Sequence, residues 1–120
     1  MDLVRFAKGI ELFNRAEFFE AHEILEDVWR ECQDPEKKFL QALIQSAVAL
    51  HHHSRGNLAG ARSLLGRSSR NLQDYPEIFA GINVERLRRD LEVWSLALES
   101  EGTCPAFPRL ELDSRDNHQT

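Results

Sequence analysis

A histidine and a glutamate on the second predicted helix are the residues of this sequence best placed to do chemistry. His22 and Glu26 are four positions apart, so their side chains meet on one face of an α-helix. That face is otherwise apolar, because Phe18, Leu25 and Trp29 fall in the same arc. A carboxylate among apolar groups is costly unless a partner compensates for its charge. The pattern therefore marks this stripe as a candidate functional site.

The other acidic residues of the same helix follow the amphipathic pattern that Glu26 breaks. When the helix is drawn at about 100° per residue, they collect on the opposite, solvent-facing side. They are Glu20, Glu23, Asp27 and Glu31. Trp29, two turns beyond His22, walls a pocket in the functional interpretation, whereas packing in the core is the commoner role of a tryptophan.

The His22–Glu26 pair allows three interpretations. An imidazole and a carboxylate at this spacing can converge on one metal ion. The carboxylate can instead orient and activate the histidine as a general base. The pair can also be a structural hydrogen bond that ties the helix to its neighbours. A complete His-Glu-x-x-His zinc motif is absent here, because the fourth residue after His22 is Glu26.

A stripe on the third predicted helix supplies further candidates. Gln41, Gln45 and His52 share a narrow polar stripe on a helix that is otherwise broadly apolar. If this stripe faces the second helix, His52 is a third ligand or a hydrogen-bond partner for the carboxylate, and the glutamines orient a ligand or a water molecule. The alternative is that these side chains simply face water. Because His51, His52 and His53 are consecutive, they point in different directions, and at most one belongs to the site.

The elements that must position these residues are helices. Apolar residues recur at helical spacing in five segments, and the cap signals Asp34-Pro35, Gly56-Asn57 and Asn83 separate several of them. An offset of 40 residues relates the segment 16–25 to the segment 56–65, which indicates antiparallel helical hairpins of the tetratricopeptide type. Two copies are too few for a solenoid, so an all-α compact bundle is expected. The predicted helices cover residues 2–14, 17–31, 35–55, 57–72 and 83–98.

The sequence predicts a helical domain over residues 1–101 and an extended C-terminal tail over residues 102–120. Two prolines in the tail exclude a continuous helix. Phe107 and Leu110 are expected to hold the tail against the helices, and the polar residues 114–120 are expected to fray.

Composition favours a protein without a nucleic-acid or membrane partner. The net charge is −5, with 15 basic and 20 acidic side chains, which argues against binding to nucleic acid. No apolar run approaches the length of a membrane span, and no secretory leader is recognisable. Cys32 and Cys104 follow no Cys-x-x-Cys spacing and fit reduced thiols. The sequence therefore predicts a cytoplasmic protein.

The segments 12–29 and 43–61 together resemble the bacterial and archaeal domain-of-unknown-function family 309. The hallmark of that family, His-x-x-x-Glu-x-x-Trp, is met by His22, Glu26 and Trp29. The resemblance extends over most of the chain up to the fifth predicted helix and includes the Pro-Arg-Leu of the tail. It implies an all-helical fold and a metal-binding role for the histidine–glutamate motif, and it implies no particular activity.

The leading hypothesis from the sequence is a helical protein with a divalent metal ion in a polar site between the second and third helices. Metal-assisted hydrolysis is the reaction class that such a site would support, although no nucleophile motif, phosphate-binding loop or cofactor motif is recognisable. The alternative is a protein-interaction module, in which the hairpins present a groove to a partner protein or to a second copy of the chain. The predicted ligands are His22, Glu26 and His52, and the predicted pocket residues are Trp29, Gln45 and Gln41.

Overall fold

The computed structural model describes residues 1–100 and 103–113, and five α-helices make up most of this part of the chain. A short antiparallel hairpin of Ile78–Phe79 (β1) and Ile82–Asn83 (β2) precedes the last helix. The all-α prediction is confirmed, and the predicted helix ends agree with the structure to within two residues. The helices are Leu3–Asn14 (α1), Phe18–Glu31 (α2), Glu36–Ser54 (α3), Leu58–Leu72 (α4) and Val84–Ser100 (α5).

Helices α1 to α4 pack in chain order, each against the next, and α5 packs against α4. The connections among α1 to α4 are short, which makes these neighbouring helices antiparallel. The core lies between these helices, and its largest fully buried side chains are Trp94, Phe13 and Phe39. Within residues 1–100 and 103–113, no helix is both long enough and apolar enough to cross a membrane.

The turn between α1 and α2 and the turn between α3 and α4 share one backbone geometry, and they lie 40 residues apart, the offset of the sequence repeat. Ala16 and Gly56 both adopt a positive φ, of 62° and 79°. In each turn the next amide N–H donates to the carbonyl oxygen five residues earlier, at 2.9 Å. This arrangement satisfies carbonyl groups that the end of a helix leaves without a partner. The internal repeat is therefore present in the backbone as well as in the sequence.

Polar side chains cap three of the helices close to where the sequence indicates. The Asn57 side chain accepts the Gly60 N–H at 3.0 Å, and the Asn83 side chain accepts an N–H of the first turn of α5 at 2.9 Å. The Asp34 carboxylate accepts the amide N–H four residues later at 3.0 Å. Pro35 is the N-cap of α3 rather than its first helical residue. Each bond satisfies an amide that would otherwise lack an acceptor.

A polar contact lies at the centre of the α3–α4 interface. Ser46 and Ser68 are both fully buried, and their hydroxyl oxygens are 2.7 Å apart. Both hydroxyls also lie within hydrogen-bond distance of the Ala42 carbonyl oxygen, at 3.0 Å and 2.8 Å. Small side chains at these positions allow the two helix backbones to approach closely.

The extended tail lies across the ends of the helices. Leu110 is buried, its N–H donates to the Asn14 side chain at 2.8 Å, and its carbonyl oxygen accepts from the same side chain at 3.1 Å. The Phe107 ring stacks on Trp94, with 5.8 Å between the ring centroids. Phe107 and Leu110 thus hold the tail, as the sequence predicts. The expected fraying of residues 114–120 and the domain boundary at residues 101–102 lie outside the described residues.

Candidate functional site

Helix α2 places the side chains of His22 and Glu26 in partly buried positions. The His22 side chain is 20% exposed and that of Glu26 is 37% exposed. The Asp27 side chain on the solvent side is 51% exposed, and that of Glu31 is 62% exposed. Glu20 and Glu23 are exposed as well. Glu26 therefore lies at the edge of the apolar face, where the helical wheel places it.

The hydrogen bonds of His22 define which ring nitrogen carries a proton. Its Nδ1 lies 2.5 Å from the carbonyl oxygen of Phe19, a contact that requires a proton on Nδ1. In the neutral ring, Nε2 then carries a lone pair, and this atom is 3.7 Å from Oε2 of Glu26. A proton on Nε2 would make this contact an ion pair, and a cation between the two atoms would use the lone pairs of both.

Arg30 supplies part of the compensation for the Glu26 carboxylate. Its Nη2 atom lies 3.3 Å from Oε1 of Glu26, and its Nη1 atom lies 2.9 Å from Asp27. The Arg30 side chain is 60% exposed, so this pair is screened by solvent. The second carboxylate oxygen of Glu26 remains directed to His22. Glu26 thus has one oxygen towards a surface arginine and the other towards the imidazole.

A groove between α2 and α3 begins at Glu26. It is lined by Glu26 and Trp29 from α2 and by Gln41, Ile44 and Gln45 from α3, and its volume is about 260 Å³. The antiparallel pairing of the two helices brings the end of α2 next to the beginning of α3. The polar stripe of α3 therefore faces α2 at both glutamines, as predicted. The groove combines one carboxylate, two amides and an aromatic ring.

Two further residues complete the groove from positions that the sequence does not indicate. The Gln45 side-chain oxygen accepts from the Asn71 amide of α4 at 2.9 Å, which fixes the orientation of that glutamine. The Lys37 ammonium lies over the Trp29 ring, 4.1 Å from its centroid. Trp29 is partly buried against the core, and its buried Nε1 atom has no hydrogen-bond partner among residues 1–100 and 103–113. An unpaired buried donor of this kind is uncommon in folded proteins.

His52 lies apart from the other two predicted ligands. It is seven residues beyond Gln45 on α3, which corresponds to about 10 Å along the helix axis. Its Nδ1 atom lies 3.4 Å from the side-chain nitrogen of Asn57 at the start of α4. The stripe on α3 is continuous, but only its first part borders Glu26. His52 is therefore placed at the α3–α4 turn.

The neighbours of His52 point to different surroundings, as expected for consecutive residues. The His51 ring contacts Phe19 of α2, with 5.2 Å between centroids, and Phe19 also contacts His22 at 5.0 Å. The His53 ring packs edge-on against Trp94 of α5 at 5.0 Å. The Phe19 ring thus contacts both the His51 imidazole of α3 and the His22 imidazole of α2.

The side chains of His22 and Glu26 can be compared with the ligands that metal ions require. One imidazole nitrogen and one carboxylate are donors that divalent ions accept. Among residues 1–100 and 103–113, no group of three or more His, Cys, Asp or Glu side chains is arranged to hold a metal ion. A closed structural zinc site takes four protein ligands. The residues present therefore fit an open site completed by solvent and not a closed one.

Fold and site together define a class: an all-helical domain of stacked hairpins that carries a histidine, a glutamate and a tryptophan along the helix bordering its groove. Residues 6–64 match the family model described as domain of unknown function (DUF309). This match covers α1 to α3 and the first turns of α4. The chain belongs to this family.

Two relatives are similar to this chain over part of their own longer sequences. The uncharacterized protein YpuF of Bacillus subtilis (strain 168) is 36% identical over 110 residues, which cover 89% of this chain and 62% of that protein. An uncharacterized protein of Aquifex aeolicus (strain VF5) is 36% identical over 81 residues, which cover 67% of this chain and 24% of that protein. The chain thus spans less than two thirds of the length of either relative.

Proposed function

We propose that this protein binds a divalent metal ion at an open site formed by His22 and Glu26 beside the α2–α3 groove. The observation that carries the proposal is the 3.7 Å separation of the imidazole Nε2 and the carboxylate Oε2. A cation bound by both atoms uses their lone pairs and removes their mutual repulsion. The Phe19 carbonyl supports the proposal, because a backbone acceptor on the other ring nitrogen commonly orients a metal-binding histidine.

The residues around the pair define what such a site would do. An ion with free coordination positions acts as a Lewis acid and activates a bound water molecule, so metal-assisted hydrolysis is the reaction class to examine. The groove next to Glu26 offers the amides of Gln41 and Gln45 to a polar substrate, and Trp29 offers an apolar wall. Asn71 holds Gln45 in place, so this part of the groove is organised before a ligand enters.

Calorimetric titration of untagged protein with Zn²⁺ and Mn²⁺ tests the proposal. The expected result is one ion per chain, with affinity reduced roughly tenfold or more in His22→Ala and in Glu26→Gln, since each removes one of two protein ligands. Glu23→Gln is the matched control, because it removes an exposed charge from the same helix. His52→Ala should also bind like the wild type. Absence of binding in the wild type, or unchanged affinity in both ligand variants, contradicts the proposal.

One observation favours a second function, that of a protein-interaction module. The matched region is about a quarter of the Aquifex relative, so domains of this type also occur within longer chains. In this role the groove accepts a segment of a partner, and Trp29 is its main apolar contact. Sedimentation analysis tests the version in which the partner is a second copy: wild-type protein should form a dimer that Trp29→Ala loses. A wild-type protein that stays monomeric at every concentration excludes self-association.

We infer a cytoplasmic location for either function. Cys32 and Cys104 are both free thiols in the structure, which fits a reducing compartment.

A further inference from the structure

A thiol and an imidazole meet where the tail contacts α3, outside the α2–α3 groove. The Sγ atom of Cys104 lies 3.3 Å from Nε2 of His53, within hydrogen-bond distance for sulfur. Cys104 is exposed, whereas Cys32 is buried. The accessible cysteine is thus the one with an imidazole beside it.

One buried side chain contacts His53 and also the tail segment that carries Cys104. Trp94 is 1% exposed, and its ring packs edge-on against the His53 ring with 5.0 Å between centroids. Its Nε1 atom donates to the carbonyl oxygen of Ala106, two residues after Cys104, at 2.9 Å. The Phe107 ring, also in the tail, stacks on the Trp94 ring with 5.8 Å between the ring centroids. The thiol and the imidazole are therefore positioned by the core and not by chance contact of two surface side chains.

We propose that Cys104 and His53 form a nucleophilic pair that exchanges with low-molecular-weight disulfides, which makes Cys104 a site of reversible mixed-disulfide modification. In the tautomer with its proton on Nδ1, His53 accepts the thiol proton on Nε2. The Cys104 sulfur attacks one sulfur of the disulfide R–S–S–R, a new S–S bond forms, and the original one breaks. The leaving thiolate RS⁻ takes the proton from His53, so RSH is released and no other oxidant is needed.

The chemistry of thiols explains why this neighbour matters. The thiolate is the attacking species, and a base within hydrogen-bond reach generates it at the site of reaction. Exposure of Cys104 allows a small disulfide to approach, and burial of Cys32 prevents it. Cys32 therefore serves as an internal control, because it is an inaccessible thiol in the same chain as the accessible, histidine-paired Cys104.

The test is reaction of the reduced full chain with glutathione disulfide at neutral pH, followed by intact mass and peptide mapping. We expect one adduct, on Cys104, which Cys104→Ser abolishes and Cys32→Ser retains. His53→Gln should slow the reaction by about tenfold or more, because general-base assistance contributes at least this much. His52→Gln, the adjacent histidine on the same helix, should react like the wild type.

Comparison of folded and unfolded protein makes the test independent of any variant. The folded wild type should react faster at Cys104 than the same chain does in denaturant, because only the folded state places His53 beside the sulfur. Circular dichroism shows whether His53→Gln is folded. The proposal is overturned if folding does not accelerate the reaction, if folded His53→Gln reacts at the wild-type rate, or if the adduct forms on Cys32.

Discussion

Replacing Glu26 by glutamine distinguishes a structural role of the carboxylate from a binding role. The substitution keeps the size of the side chain and removes its charge. In the protein this carboxylate contacts His22 at 3.7 Å and Arg30 at 3.3 Å, but it is 37% exposed and Arg30 is 60% exposed. Solvent screens ion pairs of this kind, and they typically contribute about 0.2–1 kcal/mol. We therefore expect Glu26→Gln to lower the free energy of unfolding by about 0.5 kcal/mol.

Urea denaturation followed by circular dichroism measures this change. Asp27→Asn is the matched control, since Asp27 is the next residue, pairs with the same arginine at 2.9 Å and is 51% exposed. The two variants should lose similar stability. Breaking a buried ion pair costs about 3–5 kcal/mol, so a loss of that size in Glu26→Gln alone would assign the carboxylate to structure. The inference that Glu26 is held ready for a cation would then be wrong.

Three further predictions concern the turns, the tyrosine and the tail. Gly56→Ala should destabilise the protein by about 1 kcal/mol in urea unfolding, because its φ of 79° is unfavourable for alanine, although apart from its chain neighbours no residue of the described part of the chain lies within 4 Å of the new Cβ. Ala16→Gly, with a φ of 62°, should shift stability in the opposite direction, and equal signs in the two variants would contradict this reasoning. Partial burial, with nearby carboxylates, raises the pKa of Tyr75 above 10.0, so phenolate absorbance of this single tyrosine should titrate with a midpoint above 10.0. The neutral phenol is favoured in the folded state, so its contribution to stability is complete below the unfolded-state pKa and is lost as the pH rises through the folded-state pKa. Asn14→Ala removes both side-chain bonds to Leu110 and should cost about 1–3 kcal/mol, with faster amide exchange at Leu110; unchanged exchange would show that the tail is held elsewhere.

The helices could be predicted from the sequence because their signals are local. Apolar spacing and cap residues such as Asn57 act within a few residues of where they stand. The hairpin of β1 and β2 lacks such a signal. Its turn consists of Ala80 and Gly81, with φ of 52° and 75°, and alanine is not a residue that marks a left-handed turn. Part of its pairing is with the tail, through the bridge of Ile82 to Leu112, which no local pattern could indicate.

The candidate site was predictable as far as the pattern of single helices reaches. Glu26 and Trp29 share a face of α2, and Gln41 and Gln45 share a face of α3, so pairing of the two helices was enough to bring them together. His52 lies on the same stripe seven residues beyond Gln45, next to Asn57 at the α3–α4 turn, and a helical wheel contains no information about position along the axis.

Contacts that depend on how two packed helices are aligned could not be predicted from the sequence. Lys37 reaches Trp29 only through the turn between α2 and α3, and Asn71 reaches Gln45 only through the alignment of α3 with α4. Both contacts depend on how far one helix is shifted along another. That shift is decided by side chains in the core and not by the residues that form the groove.

The buried serines of α3 and α4 determine how far one of these helices is shifted along the other. Much of the remaining interface is alanine and leucine, whose packing tolerates sliding by a helical turn. A slide would instead separate the Ser68 hydroxyl from both of its partners on α3, the Ser46 hydroxyl and the Ala42 carbonyl oxygen, and leave it buried and unpaired. The two serines thus fix the position of α4 along the axis of α3. Asn71 lies on α4, so the position of α4 along α3 also determines where the Asn71 amide contacts Gln45. Two buried hydroxyl groups thereby influence the shape of a groove on the surface.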